Sequence, residues 1–207
     1  MKFKLIVIFF IIFISKNLYS GETSEWLKRE IDIILEAYKN QNISNENRFL
    51  LIEKTINNNF AGTGIAKFVA GEAWKKSDKN TKKIYIDNFK LHLALNIASM
   101  MQGYSDQTYE LTKSKYDKKN QVTLIDMEIF SDTGSVVVTW RVKESKDRFF
   151  VIDLIVADIS LVVTKRSEFN SMLKKLIIIF QNLMKFYLIK TLKVIRKSLN
   201  KILLNSQ

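Results

Sequence analysis

Residues 121–156 read QVTLIDMEIFSDTGSVVVTWRVKESKDRFFVIDLIV, and the alternation within them decides the fold class. In Gln121–Phe130, Ser135–Lys143 and Phe149–Val156 apolar side chains recur at every second position, the period of a half-buried strand. Thr108–Lys115 shows the same period and adds a fourth strand just upstream. The breaks at Ser131–Gly134 and Glu144–Asp147 are short, polar and turn-rich, so neighbouring strands are expected to pair as antiparallel hairpins. The last run, VIDLIV, is apolar on both faces apart from Asp153. Such a strand belongs inside a sheet that helices cover.

The segment before these strands has a helical period instead. Leu27, Ile31, Ile34, Leu35 and Tyr38 share one helix face behind the possible caps Thr23 and Ser24. Ser44 opens a second helix with Phe49, Ile52 and Ile56 on one side, and Asn57–Asn59 stops it. A short third helix is expected over Gly64–Trp74, and a long fourth from Ser77 or Asp78 to about Gly103. The wide apolar band of the fourth runs from Ile84 through Phe89, Leu93 and Ile97 to Met101, which suggests more than one neighbour. A final helix starts near Ser160 or Ser167. Helices followed by strands give an α+β fold: N-terminal helices packed on a four-stranded, mostly antiparallel curved sheet, with a C-terminal helix.

Composition narrows the chemistry. The chain has 207 residues, no Cys, no Pro and one His, which removes disulfides, thiolate chemistry and His-rich metal sites. The net charge of +12 invites a nucleic-acid reading, but its distribution argues against one. Three lysines without an acid lie in the first twenty residues, and eight cations without an acid lie from Lys174 onward. The stretch between holds 22 basic residues against all 21 acidic ones. No nucleic-acid partner is expected of so nearly neutral a body.

The two ends differ from the body. Met1–Lys4 is basic, Leu5–Ile14 is uninterruptedly apolar, and Ser15–Gly21 returns to polar and small residues. This is the layout of a secretory leader over 1–20, with Ser20 before the cut or the segment kept as an uncleaved anchor, and either way it implies an exported body. The tail 176–207 alternates Leu, Ile and Phe with lysines, and it is expected to be helical. It suits weak contact with an anionic membrane surface, or packing on the domain, or little function at all.

No enzyme signature emerges, and no catalytic residue or metal ligand is assigned. There is no G-x-S-x-G elbow, and Gly62-Thr63-Gly64 is too short for a dinucleotide loop. Asp126 and Glu128 read as a solvated strand face. Asp153 needs a partner, Arg141 or Arg166, and reads as a structural ion pair. The rival reading is an exported enzyme or small-ligand binder with Asp153 or His92 in its pocket. A sheet covered by helices also leaves room for an apolar cavity, whose walls methionines such as Met100, Met101 and Met127 would suit.

Particular strings then carry a resemblance. Ile65-Ala66-Lys67-Phe68-Val69-Ala70-Gly71 followed by Trp74 resembles the I-A-[KR]-[FY]-x-x-G-x-x-W segment of the MlaC family, the toluene-tolerance auxiliary proteins. Trp140-Arg141-Val142 is similar to the family's Tyr-Arg-Leu strand. Phe149-x-Val151-x-Asp153-Leu154-x-Val156, then Ile159-Ser160-Leu161-Val162 and Arg166-Ser167-x-Phe169, follow in the family's order. Asp158 departs from it, because a Gly is frequent there. The resemblance implies a periplasmic domain over 21–175 that binds a phospholipid as cargo, with no cofactor. It implies partners as well, an inner-membrane ABC transporter complex and an outer-membrane lipoprotein complex, for which Lys75, Lys76, Lys79, Lys82 and Lys83 are candidate contacts. The expected lipid wall comes from Phe68, Val69 and Trp74, from Phe89, Leu93 and Ile97 on the long helix, and from the strand residues Met127, Ile129, Val138, Trp140, Val151 and Val156.

Overall fold

The alternating stretch forms a single antiparallel meander in the computed structural model. The structure describes the backbone of residues 3–104 and 107–204, and the side chains of 21–104, 107–176, 178–179 and 181–193. Strands β1 (Thr108–Asp117), β2 (Val122–Ser131), β3 (Gly134–Ser145), β4 (Arg148–Val156) and β5 (Ile159–Ser160) lie side by side in chain order. Pairing sets Ile125 opposite Trp140 and Trp140 opposite Leu154, so this row is apolar across β2, β3 and β4. Met127, Val138 and Val156 make a second such row. The candidate leader's side chains, and Met1 and Lys2 altogether, lie outside the described residues.

Four strands are expected, and the described residues form five. The fifth escapes a period-two reading because two residues show no alternation. It exists because Ala157 and Asp158, at φ 47° and 62°, reverse the chain in two residues and bring Ile159 opposite Val156. Lys146 and Asp147, at φ 52° and 57°, make the same kind of turn between β3 and β4. Paired left-handed residues match the twist of a hairpin, which is why Gly, Asn and Asp favour them. Asp158 tolerates the position, but Ala157 is strained there by about 1–2 kcal/mol. Ala157→Gly is expected to stabilise the domain by about 0.5–1 kcal/mol, after the larger entropy of an unfolded glycine is subtracted. A lowered urea midpoint would refute this.

The helical half contains α1 (Phe3–Lys39), α2 (Asn45–Asn59), α3 (Gly62–Ala70), α4 (Glu72–Lys76) and α5 (Lys79–Met101). Ser44 caps α2 by accepting from the Asn47 amide, and Asp78 caps α5 by accepting from the Thr81 amide. The single helix expected over Gly64–Trp74 is in fact two. Gly71 at φ 55° and ψ −122° ends α3, a backbone region that only glycine occupies without strain. Arg166 seals that end by donating from Nη1 to the Phe68 carbonyl at 2.9 Å. A Cβ on residue 71 would also stand 3.3 Å from Arg166 Nη2. Gly71→Ala is therefore expected to cost about 1–3 kcal/mol, read as a lowered unfolding midpoint.

Two apolar clusters hold these layers together. Leu27, Ile125 and Val142 are buried with Trp26, Ile31, Trp140 and Phe149 around them, joining α1 to the sheet. Ile52, Ile56 and Ala94 are buried with Ile34, Tyr38, Leu93 and Ile97, joining α2 and α5 to the C-terminal half of α1. Each large side chain so buried contributes about 1.5–3 kcal/mol. Tyr109 on β1 pins α1 further by donating to Asp32 Oδ1 at 2.6 Å, and Lys28 donates to the other oxygen. Burial raises the Asp32 pKa, but these two bonds outweigh it and hold the carboxyl below its ordinary range. The chain divides into two compact units, 1–166 and 167–207. The second consists of helix α6 (Leu161–Leu204) from Ser167 onward.

Candidate functional site

α1 contributes to both clusters, and between them lies a cavity of about 60 Å³. Trp26, Leu27, Ile31 and Ile34 of α1 form one side, and Ile52 and Ile56 of α2 a second. Phe60, Ile97 of α5, Trp140 of β3 and Val151 of β4 complete the apolar wall. Phe60 is placed by a parallel bridge to Val151, and the Ala61 amide donates to the Val151 carbonyl at 2.9 Å. That link brings the α2–α3 junction onto the sheet and shapes this corner. Glu30, Thr55 and Asn59 also border the cavity. Asn59 Nδ2 donates to Glu30 Oε2, a polar clasp between α1 and α2. Trp140 Nε1 is buried and finds no acceptor among the described residues.

Of the residues expected to form a lipid wall, Ile97, Trp140 and Val151 line this cavity. The others lie elsewhere. Leu93 packs on the α2–α5 cluster, Phe89 is buried beside Tyr85, and Val69 is buried in α3. Met127, Val138 and Val156 form their cross-strand row, while Ile129 pairs with Tyr109 and Val136 farther along the sheet. Phe68 is 43% exposed, with the Arg166 guanidinium 4.6 Å from its ring centre. Trp74 carries the Lys82 ammonium 5.4 Å over its ring. The wall residues not anticipated, Trp26, Leu27, Ile31, Ile34, Ile52, Ile56 and Phe60, mostly stand at the helical spacing that also marks a core. A tryptophan beside that spacing and a carboxylate one turn on, Glu30, were the available hints.

The titratable candidates do not converge. Asp153 is 4% exposed and fully engaged: it accepts from Ser160 Oγ at 2.6 Å, from the Val162 amide at 3.1 Å and from Arg141 Nη1 at 3.4 Å. Ser160 in turn accepts from the Val163 amide at 3.1 Å. Side chain and carboxylate together satisfy the first amides of α6, which otherwise lack partners. His92 is exposed on α5 and bonds only with Asn96 among the described residues. Asp126 accepts from Thr139 and Glu128 from Ser135, both across the β2–β3 pair. No cluster of three or more metal-ligating side chains occurs among the described residues.

Helices packed on an antiparallel meander, with a largely apolar cavity where α1, α2 and α5 meet β3 and β4, define an α+β domain of the helix-covered-sheet class. The family model described as MlaC protein matches residues 28–185, and the chain belongs to the MlaC family. The match begins inside α1 and ends inside α6. Among solved structures, a phospholipid-binding protein from Ralstonia solanacearum, in complex with a phospholipid, shares the fold. Its TM-score is 0.65 at 17% identity, over 75% of this chain and 88% of that one. No curated protein matches the chain.

Proposed function

We propose that this protein binds a phospholipid in the cavity between α1, α2, α5 and the sheet, and that it carries lipid between the outer and inner membranes. The observation that carries the reading is the cavity's apolar wall, drawn from three helices and two strands. Membership of the MlaC family and the phospholipid held by the Ralstonia protein support it. A wall of this kind draws acyl chains at about 0.8 kcal/mol per methylene buried. At about 60 Å³ the cavity is smaller than the roughly 300–1,000 Å³ of ordinary ligand sites. Admitting an acyl chain therefore requires the helix layer to move away from β3 and β4. The two clusters on either side of the cavity offer a natural plane for that shear.

The reading includes no catalytic step, since Asp153 caps a helix and His92 faces outward. It places the mature protein in the periplasm after removal of residues 1–20. Its partners are an inner-membrane ABC transporter complex and an outer-membrane lipoprotein complex. Native mass spectrometry of protein purified from the periplasm tests the cargo: co-purified phospholipid is expected, and consistently empty protein would overturn the reading. Trp26 and Trp140 stand in the wall, so lipid loading should also change tryptophan emission. For the partner contact, Lys75 pairs with Glu72 at 2.8 Å and Lys82 covers Trp74, while Lys76, Lys79 and Lys83 are exposed. Reversing the charge of the last three should weaken capture of the transporter complex, and unchanged capture would clear this patch of a docking role.

A further inference from the structure

Between Met172 and Leu192 the second unit exposes eleven large apolar side chains, each at least 45% accessible. Single exposed apolar residues are ordinary, but this density within six helical turns is not. Five lysines, at 174, 175, 185, 190 and 193, stand among them. Arg196, Lys197 and Lys201 follow in the sequence, and no acid lies beyond Glu168. At 100° per residue, Leu173, Leu176, Leu183, Met184 and Tyr187 fall on one side of the helix, opposite Lys174, Lys175, Lys185 and Lys193. The lysine side is itself interleaved with Ile178, Phe186 and Ile189. Water solvates such a surface poorly. A lipid head-group region suits it, because lysine stems lie along apolar surface while their ammonium groups reach the phosphates.

We infer that residues 167–204 dock in the plane of an anionic phospholipid surface. Charge selects this occupant. A second copy of this helix would set eight cations against eight with only Glu168 of each to offset them, whereas an anionic leaflet supplies the missing negative charge. The helix lies on the surface rather than crossing it, since no helix among the described residues is long and apolar enough to span a membrane. Each cation near such a surface multiplies partitioning by about fivefold, and salt screens the effect. Binding is therefore reversible and salt-sensitive, as a carrier that leaves each membrane requires. The inference stands on the tail's own residues and does not depend on what the cavity holds.

The test uses the full chain with vesicles of phosphatidylglycerol and phosphatidylethanolamine, and with vesicles of phosphatidylcholine alone. Co-sedimentation is expected with the anionic vesicles only, and it should fall at high salt. One variant replaces the lysines at 174, 175, 185, 190 and 193 by glutamine, which keeps helix propensity. A second carries Leu176→Asn, Leu183→Asn and Tyr187→Asn. The glutamine variant should lose about a thousandfold or more in vesicle partitioning and the asparagine variant about a hundredfold, while far-UV circular dichroism and co-purified phospholipid stay at wild-type level in both. Equal binding to both vesicle types, or wild-type binding by the glutamine variant, would overturn the inference. So would a dimer in light scattering that Leu176→Asn abolishes in the absence of vesicles, because the face would then belong to a second copy.

Discussion

Replacing Asp153 with alanine is expected to remove about 3–5 kcal/mol of stability, the usual consequence of deleting one partner of a buried charged network. The carboxylate, 4% exposed, satisfies Ser160, the Val162 amide and Arg141 at once. Without it the first turn of α6 loses an acceptor in a place that water does not reach freely. Arg141, whose side chain is 32% exposed, can turn toward solvent, which sets the effect at the lower end of the range. Asp153→Asn keeps one oxygen for the amide and should lose about half as much. For a chain of this size the alanine variant corresponds to a fall of roughly 10 °C in melting temperature. Thermal unfolding of lipid-stripped protein measures it, and a change of less than a degree or two would show that the network contributes little.

The same residue shows what a sequence does and does not disclose. An aspartate within VIDLIV is legible as an anomaly, because an ionised group in an apolar strand demands a partner. Its partner is not legible: Arg141 on the preceding strand and Arg166 shortly after the last one are both close enough in sequence to supply it. Pairing decides between them. Arg141 sits opposite Asp153 in the β3–β4 register, while Arg166, one helical turn into α6, reaches back to the Phe68 carbonyl. The meander itself was readable because period two persists through each strand, and the hairpin breaks are too short for any other connection. The fifth strand and the break at Gly71 were not, since each depends on backbone angles at one or two residues rather than on a repeated pattern.

The cavity was harder to locate for a related reason. Apolar spacing reports which side of an element turns inward, and it does so equally for a filled core and for the wall of a void. Phe89 and Ile97 lie on the same long helix and both read as inward. Phe89 is buried beside Tyr85, whereas Ile97 borders the cavity because the C-terminal half of α5 lies against α2 at Ile52 and Ile56. The family motif has the same ambiguity. Its Phe68 and Trp74 carry cations on their rings at the ends of α3 and α4, and Gly71 between them is a backbone requirement. A sequence marks these positions as special without saying whether for ligand or for fold.

Filling the cavity separates those two roles. Ile97→Trp adds an indole to a wall that now leaves about 60 Å³, the space that the proposed function assigns to acyl methylenes. Losing contact with even two methylenes, at about 0.8 kcal/mol each, lowers lipid affinity roughly tenfold. The added bulk is expected to cost the fold about 1–3 kcal/mol of strain, which leaves a domain of this size folded. Met100→Trp is the control: it lies on the same helix three residues on, but it is 75% exposed and does not border the cavity. Native mass spectrometry of both variants, purified from the periplasm alongside the wild type, reads the lipid-bound fraction directly. The Ile97 variant should emerge folded and largely empty, and the Met100 variant should remain loaded. If both retain lipid at the wild-type fraction, the cargo lies elsewhere in the domain and this cavity is only a packing defect. If both lose it, perturbation of α5 rather than occupation of the cavity is responsible.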